Sequence, residues 1–164
     1  MKNKIFALAI LMMGFSASSF AQSSATATAT ATLVTPIAIS KTVDMDFGTL
    51  AASATAGTVV LGTDDVATPS GGVSLVSGTP AAAQFSVTGE GTSSFSISLP
   101  SSITLVSGTD NLTVDTFGSS PSTTGTLTAG AATVKVGATL NVPANAPAGT
   151  YTNTADLTVT VNYN

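Results

Sequence analysis

The chain has 164 residues, with 4 Lys or Arg, 8 Asp or Glu and no His, Cys or Trp; charged residues make up only 7%. Without His or Cys there is no imidazole base, no thiolate nucleophile, no soft metal site and no disulfide. Four cations cannot form a stripe that neutralises a phosphate backbone, so no nucleic-acid partner is expected.

Met1–Lys4 carries two lysines, Ile5–Phe15 is an apolar run, and Ser19-Phe20-Ala21 has small residues at its outer positions. This three-part pattern predicts a secretory signal peptide over residues 1–21, cleaved after Ala21. A membrane anchor is the weaker alternative, because roughly 18 apolar residues are needed to span a bilayer. No Cys follows the run for lipid attachment, and no transmembrane span is expected in the mature chain. The product is expected to be exported, extracellular or at the cell surface, with the periplasm as second choice and a Gram-negative bacterium as source. Cleavage removes Lys2 and Lys4 and no acid, so Lys41 and Lys135 face eight acids for a net charge of −6. The remaining length suits one domain, over residues 36–164, preceded by an Ala/Thr-rich extension over residues 22–35.

The extension reads Ser-Ala-Thr-Ala-Thr-Ala-Thr-Ala-Thr over Ser24–Thr32. One reading is a flexible low-complexity linker. The other follows the phase: Ala25, Ala27, Ala29, Ala31 and Leu33 lie on one side and continue as Ile37 and Ile39. That register would make a strand of about 45–50 Å, beyond the usual length, and Pro36 would interrupt its ladder. Two pieces are therefore expected, an extension near Ala25–Leu33 that pairs or stays free, and a first strand near Pro36–Ser40.

Further on, Val43, Met45 and Phe47 alternate with Asp44 and Asp46, Phe85 and Val87 with polar neighbours, and Phe95, Ile97 and Leu99 with serines. Shorter strands are predicted at Thr58–Leu61, Val73–Val76, Ile103–Val106, Leu112–Phe117, Gly125–Thr128 and Thr133–Val142. The clearest case closes the chain. Tyr151, Asn153, Ala155, Leu157, Val159, Val161 and Tyr163 alternate with Thr, Asp and Asn, predicting one half-buried strand from Tyr151 to Tyr163. Turn signals such as Pro69-Ser70-Gly71-Gly72, Gly89-Glu90-Gly91 and Gly118–Pro121 recur at the short, regular spacing of sandwich strands. Thr, a β-branched residue, occurs 29 times. The expected fold is all-β: an immunoglobulin-like antiparallel β-sandwich of seven to nine strands, with no helix after the signal peptide.

The stretch Ala29–Leu50, with Ser70-Gly71-Gly72-Val73, Phe85–Gly89, Ser98–Thr104, Pro147–Tyr151 and Val159–Tyr163, resembles the secreted bacterial family called domain of unknown function 4402. The resemblance covers nearly the whole mature chain and implies location and fold; the family carries no established activity. A weaker resemblance is to chaperone–usher pilus subunits, especially the spore-coat-U-like group. It rests on Asp46-Phe47-Gly48-Thr49 and on a closing strand in which Gly149 precedes Tyr163 by fourteen positions. In such subunits an N-terminal extension completes a neighbour's sandwich by donating a strand, and a periplasmic chaperone binds first. The implied donor is Ala25, Ala27, Ala29, Ala31 and Leu33, and the terminal-strand motif is Gly149, Tyr151, Leu157, Val159, Val161 and Tyr163. The usual cysteine pair has no counterpart here, and the donor face is mostly Ala, whose methyl buries less area than Leu or Val.

Residues for chemistry are few. The acids are Asp44, Asp46, Asp64, Asp65, Glu90, Asp110, Asp115 and Asp156. A glycosidase needs two carboxylates across a cleft, but these acids fall on polar strand faces and in turns, where solvated acids belong. Asp64-Asp65 with Asp110 offers oxygen ligands for Ca²⁺, with no supporting spacing. Asn111-Leu112-Thr113 matches a glycosylation acceptor at the level expected by chance. Tyr151 and Tyr163 could stack on sugars, yet both fall on the apolar phase and read better as core. Lys41 and Lys135 read as edge or surface charges. No catalytic residue, metal site or cofactor is expected. The favoured function is a surface or fimbria-like subunit that self-associates, or joins related subunits, by strand addition. The alternative is a monomeric adhesive or glycan-binding module; a hydrolase is the least supported.

Overall fold

The computed structural model describes residues 22–153 and 157–164. The expected signal peptide lies outside the described residues. The chain divides into two units, residues 1–33 and 34–164. In the first, residues 22–33 carry no strand and are exposed.

The second unit is an antiparallel β-sandwich, and its described residues contain no helix. Ten strands follow in order: β1 (Ala38–Val43), β2 (Thr49–Leu61), β3 (Ala67–Ser77), β4 (Ala83–Thr88), β5 (Ser94–Ser98), β6 (Ser102–Ser107), β7 (Asp110–Ser120), β8 (Thr124–Thr126), β9 (Ala131–Val142) and β10 (Thr160–Tyr163). Seven form one sheet, and β10-β5-β8 form the other.

The larger sheet is organised by β9. Along one edge its first half, residues 131–136, pairs with β4, and its second half, residues 138–142, pairs with β2. Along the other edge β7 pairs with it from Thr113↔Asn141 to Ser120↔Lys135. Strands β1, β3 and β6 then add outside β4, β2 and β7. The sequence of β9 accounts for this place. Val134, Val136, Ala138, Leu140 and Val142 are all buried on one face, as period-two alternation requires. Val134 and Val136 enter a cluster with Val87, Phe95, Leu127 and Val161, whereas Leu140 and Val142 enter a second one with Phe47, Val59, Leu61 and Val114. Each such side chain contributes about 1.5–3 kcal/mol on burial. No polar or charged side chain is buried among the described residues.

Several expectations are corrected. The strand expected over Val43–Phe47 ends at Val43, with only Asp46 bridged to Ala81 beyond it. The first strand runs over Ala38–Val43 and not Pro36–Ser40, because residue 38 is the first to reach the ladder of β4. Among its described residues the closing run is not one continuous strand: Thr152 bridges Val106 of β6, and only Thr160–Tyr163 pairs with β5. Alternation persists through it because both sheets face one interior.

Pro69–Gly72 is not a chain reversal but lies within β3. Asp46 bridges Ala81, and Asp65 in the β2–β3 turn accepts a hydrogen bond from the Ala82 N–H (2.9 Å). The start of the hairpin and its tip thus meet at adjacent residues, although residues 46–61 would span about 50 Å if straight. The hairpin therefore bends back on itself. The bend lies where β2 advances from Ala52 to Gly57 while β3 covers only Gly71 to Val73. The outer strand carries the extra residues, as a bulged corner demands. On the inner strand Gly71 has φ +68°, and a Cβ at Gly72 would overlap the Thr55 carbonyl oxygen. Gly72→Ala is expected to cost about 1–3 kcal/mol in denaturant unfolding, while Ser74→Ala, exposed on the same strand, should stay within roughly 0.5 kcal/mol. Equal midpoints for the two variants would contradict the corner.

Candidate functional site at the root of the extension

Thr35 is the second residue of the sandwich unit, at the end of the extension, and it is held in a small hydrogen-bonded clamp. Its N–H donates to Oε2 of Glu90 (3.0 Å), and its carbonyl oxygen accepts from the Tyr163 hydroxyl (2.7 Å). That hydroxyl in turn accepts the Glu90 N–H (2.6 Å). Tyr163 ends β10, and Glu90 follows β4, so three distant parts of the chain converge here. Gly89 permits the approach, since a Cβ there would overlap the Tyr163 hydroxyl oxygen. Beyond the clamp, Ile37 and Ile39 pack against the core cluster containing Val87 and Phe95. The hydrogen bond from Thr35 holds the Glu90 carboxyl below its ordinary pKa.

Of the expected donor residues, Ala25, Ala27, Ala29, Ala31 and Leu33 are exposed and outside any strand, Leu33 at 92%. The terminal motif is spread along the core. The Tyr151 hydroxyl donates to the Pro147 carbonyl (2.9 Å) and its ring packs on the cluster of Phe47 and Leu140. Leu157 touches both clusters, Val159 and Val161 are buried in the second, and the Tyr163 ring packs on that second cluster too. Gly149 is exposed beside Ser107. The two tyrosine rings thus lie against core side chains.

The acids are drawn into the fold's own bonds. Asp44 pairs with Lys41. Asp46 and Asp64 accept the N–H groups of Gly48 and Val66. Asp115 accepts from Asn141 (3.0 Å). Asp65, by sequence a solvated turn acid, instead bonds Lys135 (2.6 Å) and the Ala82 N–H, and the Lys135 bond is the main cause that lowers its pKa. Glu90, by sequence another turn acid in solvent, has its partner Thr35 at a separation of 55 positions, which no local motif reveals. Asp156 lies outside the described residues. Among the described residues no three acids gather as a metal would require, so Asp64, Asp65 and Asp110 are not brought together. An open depression of about 490 Å³ lies across β2, β9 and β7 beside Asn111 and Asn141, and another of about 220 Å³ lies beside Thr116 and Gly137. No aromatic ring lines either one. Among the described residues no helix is long and apolar enough to cross a membrane.

These features define a class: an all-β sandwich whose first and last segments are tied together by a tyrosine clamp, with an unpaired extension at its root. The chain belongs to the family described as a domain of unknown function (DUF4402), whose model matches residues 37–163. No curated protein and no solved structure matches the chain.

Tyr163→Phe removes one donor and one acceptor from the clamp and is expected to cost about 1–3 kcal/mol in chemical denaturation. For Glu90 the folded pKa is depressed, so its contribution is present above the unfolded value and lost as pH falls through the folded one. Thermal melts from roughly pH 6 down to 3 should therefore show a flatter acid limb for Glu90→Gln than for the unsubstituted chain. Parallel acid limbs would contradict the carboxylate's role in the clamp.

Proposed function

We propose that the protein is an exported, non-catalytic structural subunit of the cell surface, fimbria-like, that assembles by β-strand addition. The carrying observation is the extension: Ala25, Ala27, Ala29, Ala31 and Leu33 share one phase, carry no charge, and are exposed without a ladder. A strand that joins another sheet obtains affinity from its main chain and specificity from alternate side chains. The clamp at Thr35 supports this reading, because it fixes the point where the free segment leaves the sandwich. Membership in the family supports neither this role nor its rival, since no activity attaches to it. The non-catalytic reading is supported by the acids, six of which accept hydrogen bonds or ion pairs from the chain itself.

A second reading is a monomeric secreted module that binds a surface or glycan through its loops. One observation favours it. The two core clusters are built from the sandwich unit's own residues, with Phe47, Ala146, Tyr151 and Leu157, all outside strands, closing one of them.

Unboiled gels and negative-stain images of the mature protein separate the two. Assembly should give heat-labile ladders and thin fibres, and deleting Ser23–Thr32 should abolish both while leaving the melting temperature within a few degrees. Ladders that survive the deletion would show that the segment is not the donor. A monodisperse monomer at high concentration would favour the second reading.

A further inference from the structure

We infer that the strand acceptor is the free edge of β3 at Val73–Ser77, and that its occupant is the Ala25–Leu33 segment of a second copy of this chain. This rests on the strand-addition reading and names its other half. Strand β3 has 11 residues and, among the described residues, pairs only with β2, so its outer edge presents unmatched N–H and C=O groups. Such an edge is a template for another strand unless charge, proline, brevity or cover blunts it.

The other outermost strands are blunted. Strand β1 carries Lys41, held against Asp44. Strand β6 is met at Val106 by Thr152 of the closing segment. Strands β8 and β10 are three and four residues long. In β3 itself Pro69 lacks an N–H and Gly71–Gly72 form the corner, which leaves Val73–Ser77 without an outer partner, Val73-Ser74-Leu75 in straight register with β2 and Val76 bulged before Ser77. Those five residues carry no charge, and they expose Leu75 at 37% and Val76 at 63%.

The extension supplies what this edge lacks. Its nine residues Ala25–Leu33 span about 30 Å when extended, enough to follow the five open positions with residues left over. It is uncharged, so neither partner must desolvate an ion. Its alternation lets one face be small and apolar while the other keeps threonine hydroxyls in water. The open edge lies beyond the corner, where Val73 is buried against the same cluster as Phe47 and Val59. A donor beside β3 would extend the cover of that cluster over the exposed Leu75 side chain.

The test is a pair of gels and a cross-link. Ser74→Lys with Val76→Lys places two charges on exposed positions of the edge, and the variant should lose heat-labile ladders while its melting temperature stays within a few degrees. The absence of cysteine from the chain allows a clean complement. Mild oxidation of Ala29→Cys mixed with Leu75→Cys, which lies on the same face as Val73, should give a mixed disulfide dimer well above the level in either variant alone. Persistent ladders in the double-lysine variant, or a Leu75→Cys homodimer exceeding the mixed one, would overturn the assignment while leaving strand addition itself standing. An unsubstituted protein without ladders would overturn the underlying reading as well as this one.

Discussion

The sandwich depends on one strand that is paired along both edges. β9 meets β4 and β2 in succession on one side and β7 on the other, so its backbone groups are satisfied internally. Its inward side chains tie the two core clusters into a single interior, with Val134 and Val136 in one and Leu140 and Val142 in the other. A chain with no disulfide and 7% charged residues has few other means of cohesion. Stability has to come from burial and ladder hydrogen bonds, and β9 carries more buried apolar side chains than any other strand.

The same economy shapes the periphery. With so few charges, each acid matters locally: Asp65 ties the β2–β3 turn to β9 through Lys135, and Glu90 ties the start of the sandwich to its end through Thr35. These are exposed or half-buried pairs, and such pairs add at most modest stability. Their effect is positional. The first closes the bent hairpin, which brings the open stretch of β3 over the core. The second anchors the extension at a defined root. The proposed donor and acceptor would therefore both depend on how the chain fixes its corners.

Much of this is legible from alternation. Phe85 and Val87, Phe95 and Ile97, and the side chains of Thr133–Val142 sort inside from outside as their sequences indicate. Where alternation misleads, the cause is physical. Proline and glycine mark a departure from straight extended chain, but they do not distinguish a reversal from a corner, so Pro69–Gly72 reads as a turn when it bends a strand. Alternation also cannot tell one strand from a lone bridge on one sheet followed by a short strand in the other, which is why the residues from Tyr151 to Tyr163 look continuous. The clamp is beyond reach, because an acid between two glycines looks solvated until the fold brings Thr35 and Tyr163 to it.

Amide hydrogen exchange, compared between dilute monomer and assembled protein, tests the central claim most directly. In both states the amides of β9 should exchange slowest, by global opening. Residues 25–33 and 73–77 should be unprotected or weakly protected in the monomer and become strongly protected together on assembly. Unchanged protection of both segments, or protection of one without the other, would contradict the pairing of extension and edge.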